Sequence, residues 1–139
     1  MTNAGFTVIE LVMVIVILGI LAVNVLPKFT DKNTFEARGF RDETMALLRY
    51  AQKSAIAQRR TVCVTVNSTG VSLQIASVAG TNSCDTSLSL ASTPRGSTGL
   101  GGSNFRFTAS GATDQAADVS LTVVGENNIT VDAVTGYVR

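Results

Sequence analysis

One carboxylate stands out because it interrupts a long apolar run near the N-terminus. The run extends from Phe6 to Leu26, and Glu10 is the only charged residue within it. A helix needs about 20 apolar residues to cross a bilayer, and a carboxylate inside the lipid costs at least ~2.5 kcal/mol. The run therefore predicts a membrane-spanning helix in which Glu10 has a functional role. The alternative is a protonated Glu10 that is passive.

The composition disfavours a catalytic site. Histidine is absent from the chain, so the serine and threonine hydroxyls lack the base that usually activates them. A Ser–Lys pair is also disfavoured, because every lysine of the chain falls on the predicted helix. We expect no enzymatic activity and no cofactor. The lysines in question are Lys28, Lys32 and Lys53.

The acidic residues of the second half do not have the pattern of a metal site. Calcium needs six or more oxygen ligands in a compact loop, whereas these carboxylates are scattered along the chain. Two cysteines alone do not complete a structural zinc site. We predict no metal site and interpret the acidic side chains as solvated turn residues. They are Asp114, Asp118, Glu126 and Asp132.

The helical signal continues beyond the apolar run. Pro27 lacks a backbone N–H, so a bend or local break is predicted between residues 24 and 28. After it, apolar residues recur every three or four positions up to about Arg60, as on one face of an amphipathic helix. The basic residues off this stripe are expected to form a solvated face. The stripe itself comprises Phe40, Thr44, Leu47, Leu48, Ala51 and Ala55.

The remaining residues predict short strands joined by turns. Alternating side chains in Thr61–Val66 and Val71–Ile75, around a turn at residues 67–70, predict a β-hairpin. A second hairpin is predicted between residues 119 and 131, around a Gly-Glu-Asn-Asn turn. The small and glycine-rich residues 92–103 are interpreted as a mobile surface loop.

These elements predict an α+β fold with one small head domain. One long N-terminal helix, with a membrane half and an amphipathic half, is expected to pack on a small antiparallel β-sheet head, in the shape of a lollipop. A further strand should place Phe105 and Phe107 on one face, and a short last strand should end the chain. The net charge of +1 gives no reason to expect nucleic acid as a partner.

The N-terminal stretch resembles the signature of type IV pilins and type II secretion pseudopilins. The stretch from Gly5 to Leu11 carries the resemblance, together with Gly19 and the helix-bending Pro27. Leaders of this family usually contain Lys or Arg, and residues 1–4 contain neither.

This resemblance implies processing and assembly roles for particular residues. A prepilin peptidase is expected to cut between Gly5 and Phe6, after which Phe6 is N-methylated. The carboxylate of Glu10 is expected to pair with the N-terminal amine of an adjacent subunit, which would neutralise two charges that are costly in lipid. Gly19 and Pro27 are counted with Glu10 as assembly residues.

The resemblance also bears on the two cysteines. Both follow the predicted membrane helix, so a pilin would hold them outside the cytoplasm, where disulfides persist. We therefore predict a disulfide between Cys63 and Cys84 that closes a loop back on the first strand. The alternative is two reduced, buried side chains that serve as small apolar residues.

Two shorter stretches resemble the GspH/FimT-type minor pilins. They are residues 40–66 and the C-terminal ending from residue 129, and the Lys-Phe pair after Pro27 is similar to pilins of the mannose-sensitive haemagglutinin type. Some FimT-like proteins bind DNA through a Gly-Arg-x-Arg ending. Here Tyr137 replaces the first arginine and Arg139 remains, which leaves one aromatic ring and one cation for DNA contact. The alternative is a Tyr137 packed on the sheet and a solvated Arg139.

The resemblance implies a minor pilin or pseudopilin without enzymatic activity. Residues 1–5 would be the leader, 6–27 the assembly helix, 28–60 the amphipathic helix and 61–139 the head. The protein would cross the bacterial inner membrane once, with its head in the periplasm, and then join a pilus or pseudopilus, or its tip. Its partners would be other subunits, the peptidase and the inner-membrane assembly platform. A DNA-binding pilin, a major pilin and an adhesin are the alternatives.

Overall fold

The computed structural model describes residues 5–25, 32–88 and 99–139. They belong to two compact units, Met1–Asn33 and Thr34–Arg139. Helices and antiparallel sheets make up the described chain, which confirms the α+β class. Pro27, and most of the bend predicted around it, fall in residues 26–31, outside the described parts.

The first unit contains helix α1, Val8–Val25. Every side chain described in this unit, from residue 5 to residue 22, is exposed. In the described part of the chain, no helix combines the length and the apolar character that crossing a membrane requires.

The second unit begins on helix α2, Lys32–Gln58, whose apolar stripe is buried as predicted. Phe40, Leu48 and Ala51 are fully buried on it. The helix stops where Arg59 adopts a left-handed φ of 52°. The N–H of Arg60 then donates to the carbonyl of Ala55 at 3.1 Å, which is the closing hydrogen bond of a Schellman C-cap.

Seven strands in the described residues form two antiparallel sheets beside this helix. The first sheet has the order β3-β2-β1-β5 and the second has the order β4-β6-β7. Both predicted hairpins, β1–β2 and β6–β7, are present. The strands are β1 Val62–Asn67, β2 Gly70–Ile75, β3 Thr86–Ser87, β4 Leu100–Gly101, β5 Phe105–Phe107, β6 Val119–Val123 and β7 Ile129–Val131.

One apolar core joins α2 to the inner faces of both sheets. Phe105 and Phe107 lie on the same inner face, as the alternation predicted, and their rings meet edge to face with centroids 5.2 Å apart. Leu121 and Ile129 contribute from the second sheet, and both are fully buried. The head is therefore held by contacts among elements that are distant in sequence.

The prediction of a mobile loop over residues 92–103 is wrong at its C-terminal end. Leu100 and Gly101 form β4, which pairs with β6 through Val123 and Thr122. The side chain of Leu100 is buried in the core. The glycines on either side of it had favoured the interpretation as a loop. Residues 92–98 of the predicted loop lie outside the described residues.

Candidate functional site

The residues around the predicted cleavage site precede the first helix. Gly5, Phe6 and Thr7 are not helical, and the side chain of Phe6 is 74% exposed. The carbonyl of Thr7 accepts hydrogen bonds from the N–H groups of Glu10 and Leu11, at 3.1 and 3.2 Å. Thr7 Oγ1 also accepts from the N–H of Glu10, at 3.3 Å. Thr7 is thus the N-cap of α1.

Glu10 occupies the third position of α1, where a carboxylate has a local structural use. The spacing Thr7-x-x-Glu10 is that of a capping box, and a negative charge in the first turn interacts favourably with the helix dipole. Glu10 is exposed. The Thr-x-x-Glu spacing that signals this local use is visible in the sequence itself.

Apart from Glu10, exposed apolar side chains cover α1 on all sides. Its large apolar side chains up to Leu21 are between 43% and 80% exposed. A Cβ added to Gly19 would meet no atom within 4 Å, so packing among the described residues does not require a glycine there. A helix that is apolar all round is typical of one that is buried in a large assembly or in a membrane.

The predicted disulfide between Cys63 and Cys84 is present. The sulfur atoms are 2.01 Å apart and the Cα atoms 6.0 Å apart. The bridge ties the segment before β3 to the second residue of β1. In the same segment Asp85 accepts hydrogen bonds from the hydroxyl and the backbone N–H of Ser77, at 2.5 and 2.8 Å, and these bonds lower the pKa of the Asp85 carboxyl.

The C-terminal residues proposed for DNA contact follow a tight turn after β7, and the backbone of Arg139 exchanges hydrogen bonds with Thr130 of that strand, at 2.8 and 2.9 Å. Tyr137 is 60% exposed rather than packed on the sheet. The guanidinium of Arg139 contacts the Asp118 carboxylate at 3.4 Å. Asp132 holds the turn: hydrogen bonds from the backbone N–H of Thr135, then from its hydroxyl, lower the pKa of the Asp132 carboxyl.

Polar side chains of helix α2 donate hydrogen bonds to this turn and its neighbours. These side chains lie off the apolar stripe, so the hydrophobic periodicity gave no indication of their role. Gln52 Nε2 donates to the carbonyls of Thr135 and Gly111, at 2.8 and 3.2 Å. Arg49 donates to the carbonyl of Val138 at 3.1 Å. Gly136 has a φ of 67°, and a Cβ there would overlap the carbonyl oxygen of Gly111. The turn therefore fits only with a glycine at its tip.

Most of the basic face predicted to be solvated is exposed, and two of its arginines besides Arg49 have partners in the C-terminal part of the chain. Arg38 contacts the Glu126 carboxylate at 3.0 Å, and Arg41 donates to the carbonyl of Asn127 at 3.0 Å. Both arginines therefore hold the β6–β7 turn against α2. No local sequence pattern indicates this role, because the partners are 86 to 88 positions apart in the chain and meet only in the fold.

The acidic residues interpreted as solvated turn residues all have partners. Asp114 pairs with Arg106 at 2.8 Å, Asp118 with Arg139, and Glu126 with Arg38. Burial acts to raise the pKa of the Asp114 carboxyl, but hydrogen bonds from Gln115 and Arg106 outweigh it and the pKa is lowered. Among the described residues, no group of three or more acidic, histidine or cysteine side chains could hold a metal ion.

Comparison with known structures places this arrangement in a recognised fold. The chain matches the crystal structure of the type IV minor pilin FimU from Pseudomonas aeruginosa strain PAO1, with a TM-score of 0.57 and 20% sequence identity. The match covers 80% of this chain and 90% of that one. The chain has the fold of a type IV pilin. No protein-family model and no curated protein matches it.

Proposed function

We propose that the chain is a structural subunit of a type IV pilus or a type II secretion pseudopilus, and that it is a minor subunit. The observation that carries the proposal is an α1 whose large apolar side chains are 43% to 80% exposed, in a chain that has the fold of a type IV pilin. A helix with this surface needs lipid or neighbouring helices around it. The membrane would supply the lipid before assembly, and a filament of such subunits would supply the helices after it.

The N-terminal segment is the proposed processing site. Cleavage between Gly5 and Phe6 would leave Phe6 as the new terminus, which the same peptidase would methylate. The exposed, non-helical conformation of residues 5–7 supports this assignment, because peptidases act on accessible chain. Co-expression with a prepilin peptidase tests it: the intact mass should fall by the leader and rise by one methyl group. A chain left at full length by an active peptidase would contradict the processing role.

The membrane and then the filament are the proposed locations of α1. The apolar run from Phe6 to Leu26 supports insertion into the bacterial inner membrane with the head in the periplasm. The disulfide supports a head outside the cytoplasm, because the cytoplasm keeps thiols reduced. The inner-membrane assembly platform would receive the subunit from there.

Glu10 is the proposed assembly residue. Once Phe6 is the terminus, its amine would carry a positive charge close to the carboxylate of a docked neighbour, and pairing would offset the cost of both charges in an apolar setting. The variant Glu10→Ala should still be cleaved at Gly5 but should be missing from sheared filaments. Glu36→Ala, which removes an exposed carboxylate from α2, is the matched control and should be incorporated normally.

A strain that lacks the gene for this chain would show whether the subunit belongs to a type IV pilus or to a type II secretion pseudopilus. Loss of surface pili with intact secretion would place the subunit in a pilus, whereas loss of secretion with intact pili would place it in a pseudopilus. Unchanged pili and unchanged secretion would contradict both assignments.

DNA uptake is a weaker candidate. The exposed ring of Tyr137 favours it, whereas the ion pair between Arg139 and Asp118 engages the only cation of that ending. Salt-dependent retardation of DNA by the purified protein, lost in Tyr137→Ala, would be the signature of this role.

A further inference from the structure

We propose that Thr7 is a positioning residue for leader cleavage, because it starts α1 just after the Gly5–Phe6 bond and keeps that bond out of the helix. This inference rests on the proposed function, since it concerns the bond that the peptidase would cut. In that hydrolysis water attacks the Gly5 carbonyl carbon and the bond to the Phe6 nitrogen breaks. The hydroxyl remains on Gly5 as part of its carboxyl group, and the proton goes to the Phe6 amine.

The hydrogen bonds of Thr7 define where α1 begins. Its carbonyl accepts from the N–H of Leu11 at 3.2 Å, which is the first intrahelical bond. Its hydroxyl oxygen accepts from the N–H of Glu10 at 3.3 Å. A side-chain oxygen that accepts from the third helical N–H is the mark of an N-cap. The scissile bond lies on the non-helical side of this cap.

The position of the cap decides whether the scissile carbonyl is accessible. Inside an α-helix, the carbonyl of Gly5 would accept the N–H of Ile9 and would lie on the wall of the helix. Outside the helix it is free of that bond. Phe6 is 74% exposed, and a Cβ placed on Gly5 would meet no atom within 4 Å. The bond is therefore presented on open chain, where proteolysis concentrates.

The sequence contains a competing cap one turn upstream. Asn3 is of a residue type that caps helices well, and it precedes Thr7 by four positions. If Thr7 lost its hydroxyl, a helix that begins after Asn3 would include both Gly5 and Phe6 in its first turns. The Thr7 hydroxyl thus selects the later of two possible starts.

The test uses the full-length chain in detergent micelles with a prepilin peptidase. Thr7→Val keeps the shape and the β-branch of threonine but removes the capping oxygen. Its cleavage rate should fall by about fivefold, in line with the usual loss of an N-cap. The Cα chemical shifts of residues 5–7 should move toward helical values. Thr7→Ser should restore both, and Val8→Ile, which leaves the cap intact, should change neither.

Removal of the competing cap at Asn3 provides a second test of the same inference. Asn3→Ala combined with Thr7→Val should be cleaved faster than Thr7→Val alone, because the upstream start is lost. Equal rates for these two variants would overturn the competition between caps.

The other outcomes separate this inference from the proposed function. A Thr7→Val chain cut at the wild-type rate would overturn the positioning role. Slow cleavage without a helical shift, or a Thr7→Ser chain that stays slow, would also overturn it and indicate direct recognition of the threonine by the peptidase. A wild-type chain that an active peptidase does not cut would overturn the processing function itself.

Discussion

The two compact units differ in where their apolar side chains lie. In α1 the large apolar side chains up to Leu21 are 43% to 80% exposed, whereas in the second unit, which comprises most of α2 and the head, Phe40, Leu48 and Phe107 are fully buried. Apolar area contributes to folding only when it leaves water. The second unit therefore gains stability from its own apolar core, whereas the exposed side chains described on α1 gain none. The same residue types have opposite roles in the two units.

The contrast is tested most directly by making the same change, leucine to alanine, once in each unit. Leu48→Ala removes a fully buried side chain, so the free energy of unfolding of the head should fall by about 2–5 kcal/mol. Leu18→Ala removes a side chain that is 58% exposed and should leave that free energy unchanged. Urea denaturation of both variants in detergent, followed by circular dichroism, measures the difference. Equal losses would break the comparison.

Glycine substitutions extend the contrast to the backbone. Gly136→Ala should cost about 3 kcal/mol, because it combines a left-handed φ with an overlap on the Gly111 carbonyl. Gly39→Ala lies in the interior of α2 with open space around it and should stabilise the head by about 0.5–1 kcal/mol. Thermal unfolding checks both signs. Gly19→Ala lies in α1, in the other compact unit, and should leave the unfolding temperature of the head unchanged.

Removal of the disulfide should weaken only the head. Replacing Cys63 and Cys84 by serine opens a loop with a sequence separation of 21, and the chain-entropy model assigns about 3 kcal/mol to such a closure. The unfolding midpoint of the double variant should fall, while leader cleavage at Gly5 should be unchanged. Slower cleavage would show that the two units do not act independently.

Acid should affect the head through carboxyls whose folded pKa is lowered. Asp85, Asp114 and Asp132 are such groups. Their contribution is present above the unfolded value near 3.8 and is lost as the pH falls through the lower folded value. The free energy of unfolding should therefore decline below about pH 4. Asp114→Asn should flatten this decline slightly, and an unchanged pH slope would contradict the role of the Arg106 pair.

Much of the fold was predictable because the side chains that become buried recur in the sequence with the period of the helix or strand that carries them. The stripe through Phe40, Leu48 and Ala51 recurs with the helix period, and the strands around residues 62–75 alternate with period two. Strand β4 was missed because two residues are too short to show a period. Its register comes from pairing with Val123 and Thr122, about twenty positions away.

The partners of the polar residues of α2 were not predicted, for a related reason. Arg38, Arg41, Arg49 and Gln52 fall off the apolar stripe, so their pattern indicates a solvated face. In the fold they meet carbonyls and a carboxylate from the C-terminal third of the chain. Such contacts depend on which loops the sheet order brings to the helix, and a single sequence does not contain that order.

The sequence by itself determined the apolar helix with its lone Glu10, the Thr-x-x-Glu start, the amphipathic stripe and the two hairpins. Each of these is a local pattern, since a helix cap and a strand alternation need only neighbouring residues. Only the tertiary structure decided the order of the two sheets, the ion pairs that hold the loops and the need for glycine at position 136. These depend on close approach between distant segments, where the packed core selects one arrangement among many.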